Sequence, residues 1–417
     1  MTDDPRFDLP EEIEEFRKLV REIAEDKIAP RAQEVDETDE WPKDLWEVLV
    51  EHGLMGVGYP EEFGGGGGGS LTFAVFVEEL SRVSAGVALT PLVARLGAIP
   101  VMLAGSDEQK TELFGGIAEG RHLMSYCLTE PGSGSDAVSM STKYEATSDG
   151  FVLNGTKRFI TGAGVSDVYT VFATKDPTLR GEGISCFLVN RDDSGVSFGR
   201  EEQKLGIHGS PTREVYLENV EIPADRMIGG DGEGFRIAMR TLDYSRPTIG
   251  AQALGIAQGA FDFAARYMTE REQFGSKIST FQGLQFMLAD MAMEIEAARL
   301  LVYKSASLVE AHDPRMTLFA SLAKCYVSDA VMKVTTDAVQ ILGGYGYMRE
   351  YPVERYMRDA KITQIYEGTN QIQRMVIARN LVKQASSWAD LDRFIPVETY
   401  NTYKAVPDEQ VPASGPG

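Results

Sequence analysis

The stretch QIYEGTNQIQ, residues 364–373, places one acidic side chain, Glu367, between an aromatic residue and a glycine. Asn370 and Gln373 have the spacing of a capping box, so a helix is predicted to begin just after this carboxylate. A lone carboxylate in an apolar setting is a candidate for proton transfer. A helix connection with incidental charge is the alternative, but it does not explain the apolar setting of Glu367.

Two further stretches have residue types that could hold a ligand. YCLTEPGSGSD at 126–136, followed by RFITGAG at 158–164, combines small residues and hydroxyls that let backbone N–H groups approach a polar ring, against which Phe159 could lie. A Ser/Gly-rich turn between strands is the alternative. QILGGYGYMREYPVERYMRD at 340–359 predicts a helix that ends at a glycine pair, with Arg355 and Arg358 before the Glu367 loop.

Other apparent motifs favour structural interpretations. The run Gly64–Gly69 fits a dinucleotide fingerprint trivially, but no βαβ unit surrounds it, so a flexible turn before a helix is predicted. No metal site is expected, because the four histidines lack partners at ligand spacing. No nucleophile elbow is found. The histidines are His52, His122, His208 and His312.

Composition limits the class of protein. A chain of 417 residues with 43% hydrophobic and 25% charged residues has ample core for two or three domains. Its net charge of −22 disfavours nucleic acid and anionic membranes as partners. The acidic N-terminus and the absence of an 18-residue apolar run disfavour export and membrane insertion. The cysteines are far apart, which favours a reducing, cytoplasmic compartment.

The elements that must position these residues fall into three regions of an α+β fold. Helical spacing predicts an N-terminal helical domain over residues 1–122. Short Val-, Ile- and Tyr-rich runs predict an antiparallel β domain over 123–233, in which Asn154-Gly155 indicates a hairpin. Long helical patterns predict a four-helix bundle over 234–385. Residues 386–417 are expected to form a disordered tail.

CLTEPGSGSD, the 340–359 stretch and IYEGTNQIQ together resemble the two signatures of the acyl-CoA dehydrogenase family, from about Glu11 to Lys383. The family has the same α, β, α domain order. The resemblance implies FAD bound between the β domain and the C-terminal helices, across a dimer interface. It also implies a homo-oligomer, at least a dimer and expected as a homotetramer built from two dimers. The implied role is in lipid metabolism of the fatty acid β-oxidation type.

The resemblance also implies which residues hold FAD. Those matching the positions that line the isoalloxazine ring are Tyr126, Leu128, Thr129, Ser135, Phe159 and Thr161. Those matching the positions that hold the adenosine and pyrophosphate from the neighbouring subunit are Arg271, Phe274, Gln282, Gln340 and Gly344. Thr369 and Gln371 match residues that close the site. Many relatives carry tryptophan where Phe159 stands.

The substrate implied by the resemblance is an acyl-CoA thioester. Ser135, Asp243 and Arg246 match residues that contact the CoA moiety, and Tyr366 and Gly368 flank the base. Glu367 is expected to remove the α-proton while FAD accepts the β-hydride, giving trans-2-enoyl-CoA. The ribityl 2′-hydroxyl of FAD and the Glu367 N–H would stabilise the enolate. An apolar pocket would raise the Glu367 pKa and a helix N-terminus would lower it, and the sequence does not rank these effects.

Three functional interpretations follow. The first is a dehydrogenase that passes electrons to an electron-transfer flavoprotein, the second an oxidase or flavin monooxygenase on the same fold, and the third a silent helical scaffold. Some relatives carry their base just before the arginine of SRP, where this chain has Ser245, which cannot serve as a carboxylate base.

The acyl chain is expected to meet the helix at 88–101, where Leu89, Leu92 and Leu96 recur at helical spacing. This favours a saturated, unbranched acyl group of short to medium length. Arg95 in the same helix could instead pair with a terminal carboxylate, but a solvated or interface position for Arg95 is the favoured interpretation.

Overall fold

The N-terminal region is helical, as predicted. The computed structural model of the protein describes residues 9–385, so the predicted tail at 386–417 lies outside the described residues. The N-terminal α-helices are α1 Glu11–Ile23, α2 Ala32–Thr38, α3 Lys43–Glu51, α4 Ser70–Val83, α5 Ala85–Ala104 and α6 Asp107–Ala118.

The middle region forms one eight-stranded sheet. Its strands are β1 Met124–Cys127, β2 Lys143–Ala146, β3 Gly150–Thr161, β4 Val168–Thr174, β5 Ile184–Asn190, β6 Val196–Phe198, β7 Thr212–Pro223 and β8 Met227–Ile228. The strands follow the order β6-β7-β3-β2-β4-β5-β8, with β1 also paired to β4. Most pairs are antiparallel, as predicted, but β1 runs parallel to β4, and so does the single pair between Lys143 of β2 and Thr174.

The hairpin predicted at Asn154-Gly155 is wrong. Both residues lie within β3, which continues from Gly150 to Thr161 and pairs with β7 along its length. The register shifts between Leu153 and Gly155, so the Asn-Gly pair forms a bulge. The Asn154 side chain accepts a hydrogen bond from the Asn219 N–H at 2.8 Å, which ties the bulge to β7. The turn-forming residues are therefore used to bend a strand.

The C-terminal region is a bundle of long helices. They are α7 Gly234–Glu270, α8 Gln282–Glu310, α9 Met316–Leu342, α10 Val353–Ile362 and α11 Asn370–Ala385. Helix α9 packs against α7, α8 and α11, and the short α10 crosses α7 and α9. As predicted, α9 ends at the glycine pair, where Gly343 has φ +61°.

The two helical regions share one hydrophobic core, which places the β1 end of the sheet against them. Helix α4 packs against α7 and α8, and buried residues of all these helices form one continuous cluster. The opposite face of the sheet has its own cluster around Tyr169 and Phe187. Helix α5 lies on β1 and β4, where the Thr170 hydroxyl donates to the Gly97 carbonyl at 2.6 Å. The N-terminal helices therefore meet the sheet at β1, the strand that carries the predicted flavin residue Tyr126.

Helix α5 corrects two expectations. It is long and apolar enough to cross a membrane by length and composition, contrary to the prediction that no such run exists, but 72% of its apolar window is buried inside the protein. Arg95 does not lie on a solvated face: the residue is 5% exposed, and its guanidinium lies 4.2 Å from the ring centroid of Phe73 in α4. The charge is accommodated by stacking on an aromatic face.

The run Gly64–Gly69 forms the turn before α4, as predicted. Its backbone packs closely against the preceding loop, because the Gly66 N–H donates to the Gly56 carbonyl at 2.8 Å. A Cβ added at Gly65 would lie 2.4 Å from the carbonyl oxygen of Tyr59. Glycine is therefore required here for packing between backbone segments.

Candidate active site

Glu367 lies in the short connection between α10 and α11. Its backbone is left-handed, with φ +51°, and Gly368 follows with φ +93°. A left-handed conformation is uncommon for a residue with a side chain and persists where surrounding contacts impose it. The local backbone thus turns the Glu367 side chain away from the path of either helix.

The helix cap differs from the one predicted. Helix α11 begins at Asn370, and the Thr369 hydroxyl accepts from the Ile372 N–H at 3.3 Å, so Thr369 is the capping residue. The Asn370 side chain instead contacts α9, donating to Ser328 Oγ at 2.8 Å. Gln373 does not complete a capping box, since its amide reaches back to the Glu367 loop.

Three helices hold the carbonyls of this loop. Gln373 of α11 donates to the carbonyls of Glu367 at 3.3 Å and Gly368 at 2.9 Å. Lys324 of α9 donates to the Gly368 carbonyl at 2.8 Å, and Arg246 of α7 approaches the Glu367 carbonyl at 3.4 Å. These contacts explain how the left-handed backbone at Glu367 is maintained.

The Glu367 carboxylate has two different oxygens. Oε2 accepts a hydrogen bond from the Ser245 hydroxyl at 2.5 Å, whereas Oε1 is inaccessible to solvent and has no hydrogen-bond partner among residues 9–385. Burial raises the pKa of Glu367 to about 7, although the Ser245 hydrogen bond and the charges of Arg246 and Lys324 oppose the shift. Burial therefore dominates the competition that the sequence left open.

Two predicted substrate residues, Asp243 and Arg246, pair with each other one turn apart on α7. Arg246 Nη1 donates to Asp243 Oδ1 at 2.9 Å, and the Thr317 hydroxyl donates to Asp243 Oδ2 at 2.7 Å. Burial is the main cause that lowers the pKa of Arg246 and raises that of Asp243. Arg246 lies beside the backbone of Glu367, so a positive charge is fixed next to the candidate base.

The loop predicted to contact the flavin, residues 128–136, follows β1 and contacts β3. The Thr129 carbonyl accepts from the Arg158 N–H at 2.9 Å, which places Thr129 beside Phe159. The carboxylate of Glu130 accepts from the buried ammonium of Lys157 at 2.8 Å, and the Lys157 ammonium also lies 3.3 Å from the Leu128 carbonyl. A buried ion pair thus fixes the start of the loop.

The remaining flavin candidates differ in exposure. Phe159 lies at a second irregularity of β3, with φ +56°, and 58% of its surface is exposed. The Thr161 carbonyl accepts from the Ser125 hydroxyl at 2.6 Å, and Ser135 is exposed at the tip of the loop. Tyr126 is partly buried, and its pKa is raised by burial and then by the nearby Cys186 and Glu367. This links the flavin candidates to the base.

Four of the other cofactor candidates lie together in a groove of about 540 Å³ between α7, α8 and α9. Arg271, Phe274, Gln340 and Gly344 all line it, and Phe274 is 95% exposed. Gln282 begins α8 and is exposed, but it does not line the groove. Arg271 and Tyr345 stack at its rim, with the guanidinium 5.1 Å from the ring centroid.

Other residues take positions that the sequence did not predict. Arg355 and Arg358 do not reach the Glu367 loop: Arg355 donates to the Val83 carbonyl, and Arg358 pairs with Asp36 and Glu354. The Tyr366 hydroxyl donates to the buried Gln252 of α7.

Three contributors to the site were not predicted from the sequence, namely Lys324, Gln252 and the hydrogen bond made by Ser245. Lysine and glutamine buried within a helical pattern are the only sequence signals that could have found the first two. Within the described residues, no group of three His, Cys, Asp or Glu side chains could hold a metal ion.

Comparison with known proteins accounts for this arrangement. Models of the N-terminal, middle and C-terminal domains of acyl-CoA dehydrogenase match residues 10–121, 125–220 and 232–382. The chain is 51% identical over 377 residues to a probable acyl-CoA dehydrogenase of Mycobacterium tuberculosis, covering 90% of this chain and 97% of the relative. The chain belongs to the acyl-CoA dehydrogenase family.

Other members of the family are similar over the same range. A short-chain specific acyl-CoA dehydrogenase of Clostridium acetobutylicum is 45% identical over 379 residues, covering 90% of this chain and all of the relative. Butyryl-CoA dehydrogenase from Megasphaera elsdenii superimposes with a TM-score of 0.88 at 43% identity, covering 90% of this chain and 99% of that one. A chain from a structural study of the electron transferring flavoprotein of Acidaminococcus fermentans has a TM-score of 0.88 at 46% identity, covering 90% and 99%.

This acyl-CoA dehydrogenase is therefore an FAD-dependent oxidoreductase, and its own residues fit that cofactor. Phe159 presents an exposed ring and Ser135 an exposed hydroxyl next to β1. The groove that contains Arg271 and Phe274 offers a cation and an exposed aromatic ring, which suit a pyrophosphate and an adenine. A Cβ added at Gly344 would meet no heavy atom within 4 Å, so the groove is open at that point.

Proposed function

We propose that this enzyme oxidises the acyl group of an acyl-CoA to a trans-2-enoyl-CoA, with Glu367 as the base that removes the α-proton. FAD, when bound, supplies the acceptor for the β-hydride. The observation that carries the proposal is the free oxygen of Glu367: Oε1 is buried, lacks a hydrogen-bond partner among residues 9–385 and belongs to a carboxyl group with a pKa of about 7. A general base is most effective when its pKa lies near the working pH.

The backbone of the same loop supports stabilisation of the developing enolate. Among residues 9–385, no carbonyl or side chain accepts from the Glu367 N–H. This donor is therefore available to a thioester oxygen. A fixed N–H donor at the position where charge develops is a common source of catalytic stabilisation.

Substitution of Glu367 by glutamine tests the role of the base. Glu367→Gln keeps the size of the side chain and the capacity to accept from Ser245, so FAD content and acyl-CoA binding should remain. Turnover should fall at least about 100-fold, since loss of a general base typically costs 10²- to 10⁴-fold. Stopped-flow absorbance of the flavin after mixing with acyl-CoA measures this directly. Reduction at the wild-type rate would exclude Glu367 as the base.

We further propose an electron-transfer flavoprotein as the electron acceptor. The support is the similarity to the Acidaminococcus chain from a study of such a protein. Steady-state turnover with a purified electron-transfer flavoprotein, compared with oxygen uptake, separates this acceptor from the oxidase or monooxygenase alternative. Rapid oxygen uptake without the acceptor would overturn the proposal. A cytoplasmic location is proposed with it, because Cys127, Cys186 and Cys325 are all buried and unpaired.

The proposed substrate is a saturated, unbranched acyl-CoA of short to medium chain length. Leu89 and Leu92 of α5 are buried and Leu96 is partly buried, which supports an apolar contact surface. One relative is named as short-chain specific and one solved structure as a butyryl-CoA dehydrogenase, which supports the short end of this range. Arg95 stacks on Phe73, on the side of α5 away from β1. We expect greater activity on C4 to C12 monoacyl-CoAs than on glutaryl- or adipyl-CoA.

A further inference from the structure

We propose that Ser245 is a positioning residue that binds Oε2 of Glu367 and so makes Oε1 the oxygen that receives the substrate proton. This inference rests on the proposed role of Glu367 as the base. Ser245 lies on α7, is 4% exposed and has no carboxylate of its own, so its contribution is made through Glu367.

The hydroxyl proton of Ser245 is committed to the carboxylate. Ser245 Oγ lies 2.5 Å from Glu367 Oε2 and 3.4 Å from the Leu242 carbonyl oxygen. A hydroxyl has a single proton to donate, and a hydrogen bond to a carboxylate at short distance is much stronger than one to a carbonyl at 3.4 Å. The Ser245 proton therefore points to Oε2.

Neither neighbouring cation bonds to the carboxylate. The guanidinium of Arg246 bonds to Asp243 and approaches the backbone carbonyl of Glu367. The ammonium of Lys324 bonds to the Gly368 carbonyl and to Asn370 Oδ1 at 2.9 Å. Both act on Glu367 only through space. Within residues 9–385, Ser245 is thus the only side chain with a hydrogen bond to either carboxylate oxygen.

The remaining charged and titratable groups that face Glu367 leave this assignment unchanged. From α7 this is Arg246, from α9 Lys324 and from β1 Tyr126. Tyr366 precedes Glu367 in the sequence, and the Tyr366 hydroxyl donates its hydrogen bond to Oε1 of Gln252. None of them offers a hydrogen bond to Oε1. The two oxygens therefore have separate roles, with Oε2 held and Oε1 free.

This division allows proton transfer without rearrangement. When the α C–H bond of the substrate breaks, the proton forms a new bond to Oε1. The electron pair stays on the substrate and enters the α,β double bond as the β-hydrogen leaves as hydride, for which FAD is the acceptor. Oε2 then becomes a carbonyl oxygen, which still accepts from Ser245. The same hydrogen bond serves both protonation states, so its geometry is preorganised for the reaction.

The test compares Ser245→Ala with Ser245→Thr, which retains a hydroxyl at the same carbon. In Ser245→Ala the ionised carboxylate loses its donor, so the acid limb of the pH profile of kcat/KM should move upward by about one pH unit. At pH 7 kcat/KM should fall about 10- to 100-fold, as expected for the loss of a hydrogen bond to a charged group. Ser245→Thr should restore both values to within about threefold of wild type.

FAD content, thermal midpoint and binding of a non-reactive acyl-CoA thioether should stay unchanged in both variants. A wild-type acid limb in Ser245→Ala would overturn the positioning role, as would an equal shift in Ser245→Thr. Glu367→Gln serves as the separating control. If that variant reduces its flavin normally, the proposed base itself is wrong. If it is inactive while Ser245→Ala keeps the wild-type profile, only the role of Ser245 is excluded.

Discussion

At the scale of single residues, burial decides the behaviour of Glu367. Its loop precedes α11, and a helix N-terminus favours a negative charge. Yet the pKa of Glu367 is raised to about 7, because removal from water outweighs Ser245, Arg246 and Lys324 together. Burial and these three groups together give the Glu367 carboxyl group a pKa near neutral pH.

The pH dependence of the wild-type enzyme follows from this value. The base is active only when ionised, and a raised pKa means that the proton is retained up to higher pH. We expect kcat/KM to fall about tenfold per pH unit below about 7 and to level off above it. Steady-state rates from pH 5.5 to 8.5 with a substrate that does not titrate in this range measure the limb. A profile that is flat from pH 5.5 to 8 would contradict an ionisation of Glu367 near neutrality.

The parts of the site that depend on neighbouring residues could be predicted from the sequence, whereas the parts that depend on distant residues could not. The position of Glu367 before a helix could be predicted from adjacent residues, because glycine and the capping side chains act locally. The partners Ser245 and Lys324 lie 122 and 43 positions earlier in the sequence. Their proximity to Glu367 depends on how α7 and α9 pack against the loop. No local pattern encodes that packing, which is why the hydrogen bond to Oε2 was missed.

At the scale of elements, pairing between strands that are distant in the sequence explains why the hairpin predicted at Asn154-Gly155 is wrong. Asn-Gly favours a two-residue turn when both flanking strands can pair only with each other. In this chain β7 offers a partner along the whole length of β3, and β2 pairs with β3 from Lys143 to Ala146. Pairing with two neighbours outweighs the local preference, and Asn154-Gly155 becomes a bulge.

Helix α5 packs so closely on β1 that adding one methyl group at Gly97 is expected to disturb the contact. A Cβ at Gly97 would lie 2.8 Å from Met124 Cβ and 2.9 Å from the Ser125 nitrogen. Gly97→Ala gains about 1 kcal/mol in helix propensity, but contacts this close to backbone atoms require α5 to move. We therefore expect a lower thermal midpoint and, because β1 carries Tyr126, a lower FAD content.

Gly115→Ala is the matched control, since Gly115 lies within α6 and a Cβ there would have the Phe63 carbonyl oxygen at 3.7 Å as its nearest neighbour, an ordinary contact. It should leave the thermal midpoint unchanged or raise it slightly. Differential scanning calorimetry of both variants measures the effect. An unchanged midpoint in Gly97→Ala would show that α5 is not held tightly on β1.

At the scale of the whole molecule, ion pairs tie the middle region to the helices on either side. Nδ1 of His208 lies 3.0 Å from Oδ1 of Asp36 in α2. Nη2 of Arg358 in α10 lies 2.6 Å from the other oxygen, Oδ2. The hydrogen bond to Asp36 raises the pKa of His208 to about 9. The stabilisation from charged His208 is therefore complete below about pH 6.5 and is lost as the pH rises through about 9.

Helix α8 has a row of exposed apolar side chains that bears on the assembly of the protein. Phe286, Met293 and Leu300 repeat every seven residues along α8 and are 60%, 64% and 51% exposed. That spacing places them on one face of the helix, and a monomer rarely exposes an aligned row of large apolar side chains. The groove with Phe274 lies at the start of the same helix. We propose that another copy of the chain covers these surfaces.

The wild-type protein should therefore sediment at least as a dimer, with a dimer of dimers expected. Replacing Met293 and Leu300 together by glutamate buries charge in the contact, so the double variant should dissociate to a smaller species. Leu179→Glu is the control, because Leu179 is 44% exposed in the middle region and far from α8 in sequence. It should leave the assembly unchanged. Sedimentation velocity with absorbance at the protein and flavin bands measures mass and FAD content together. A wild-type monomer that retains one FAD per chain would exclude both the proposed contact and a cofactor site completed by a second copy.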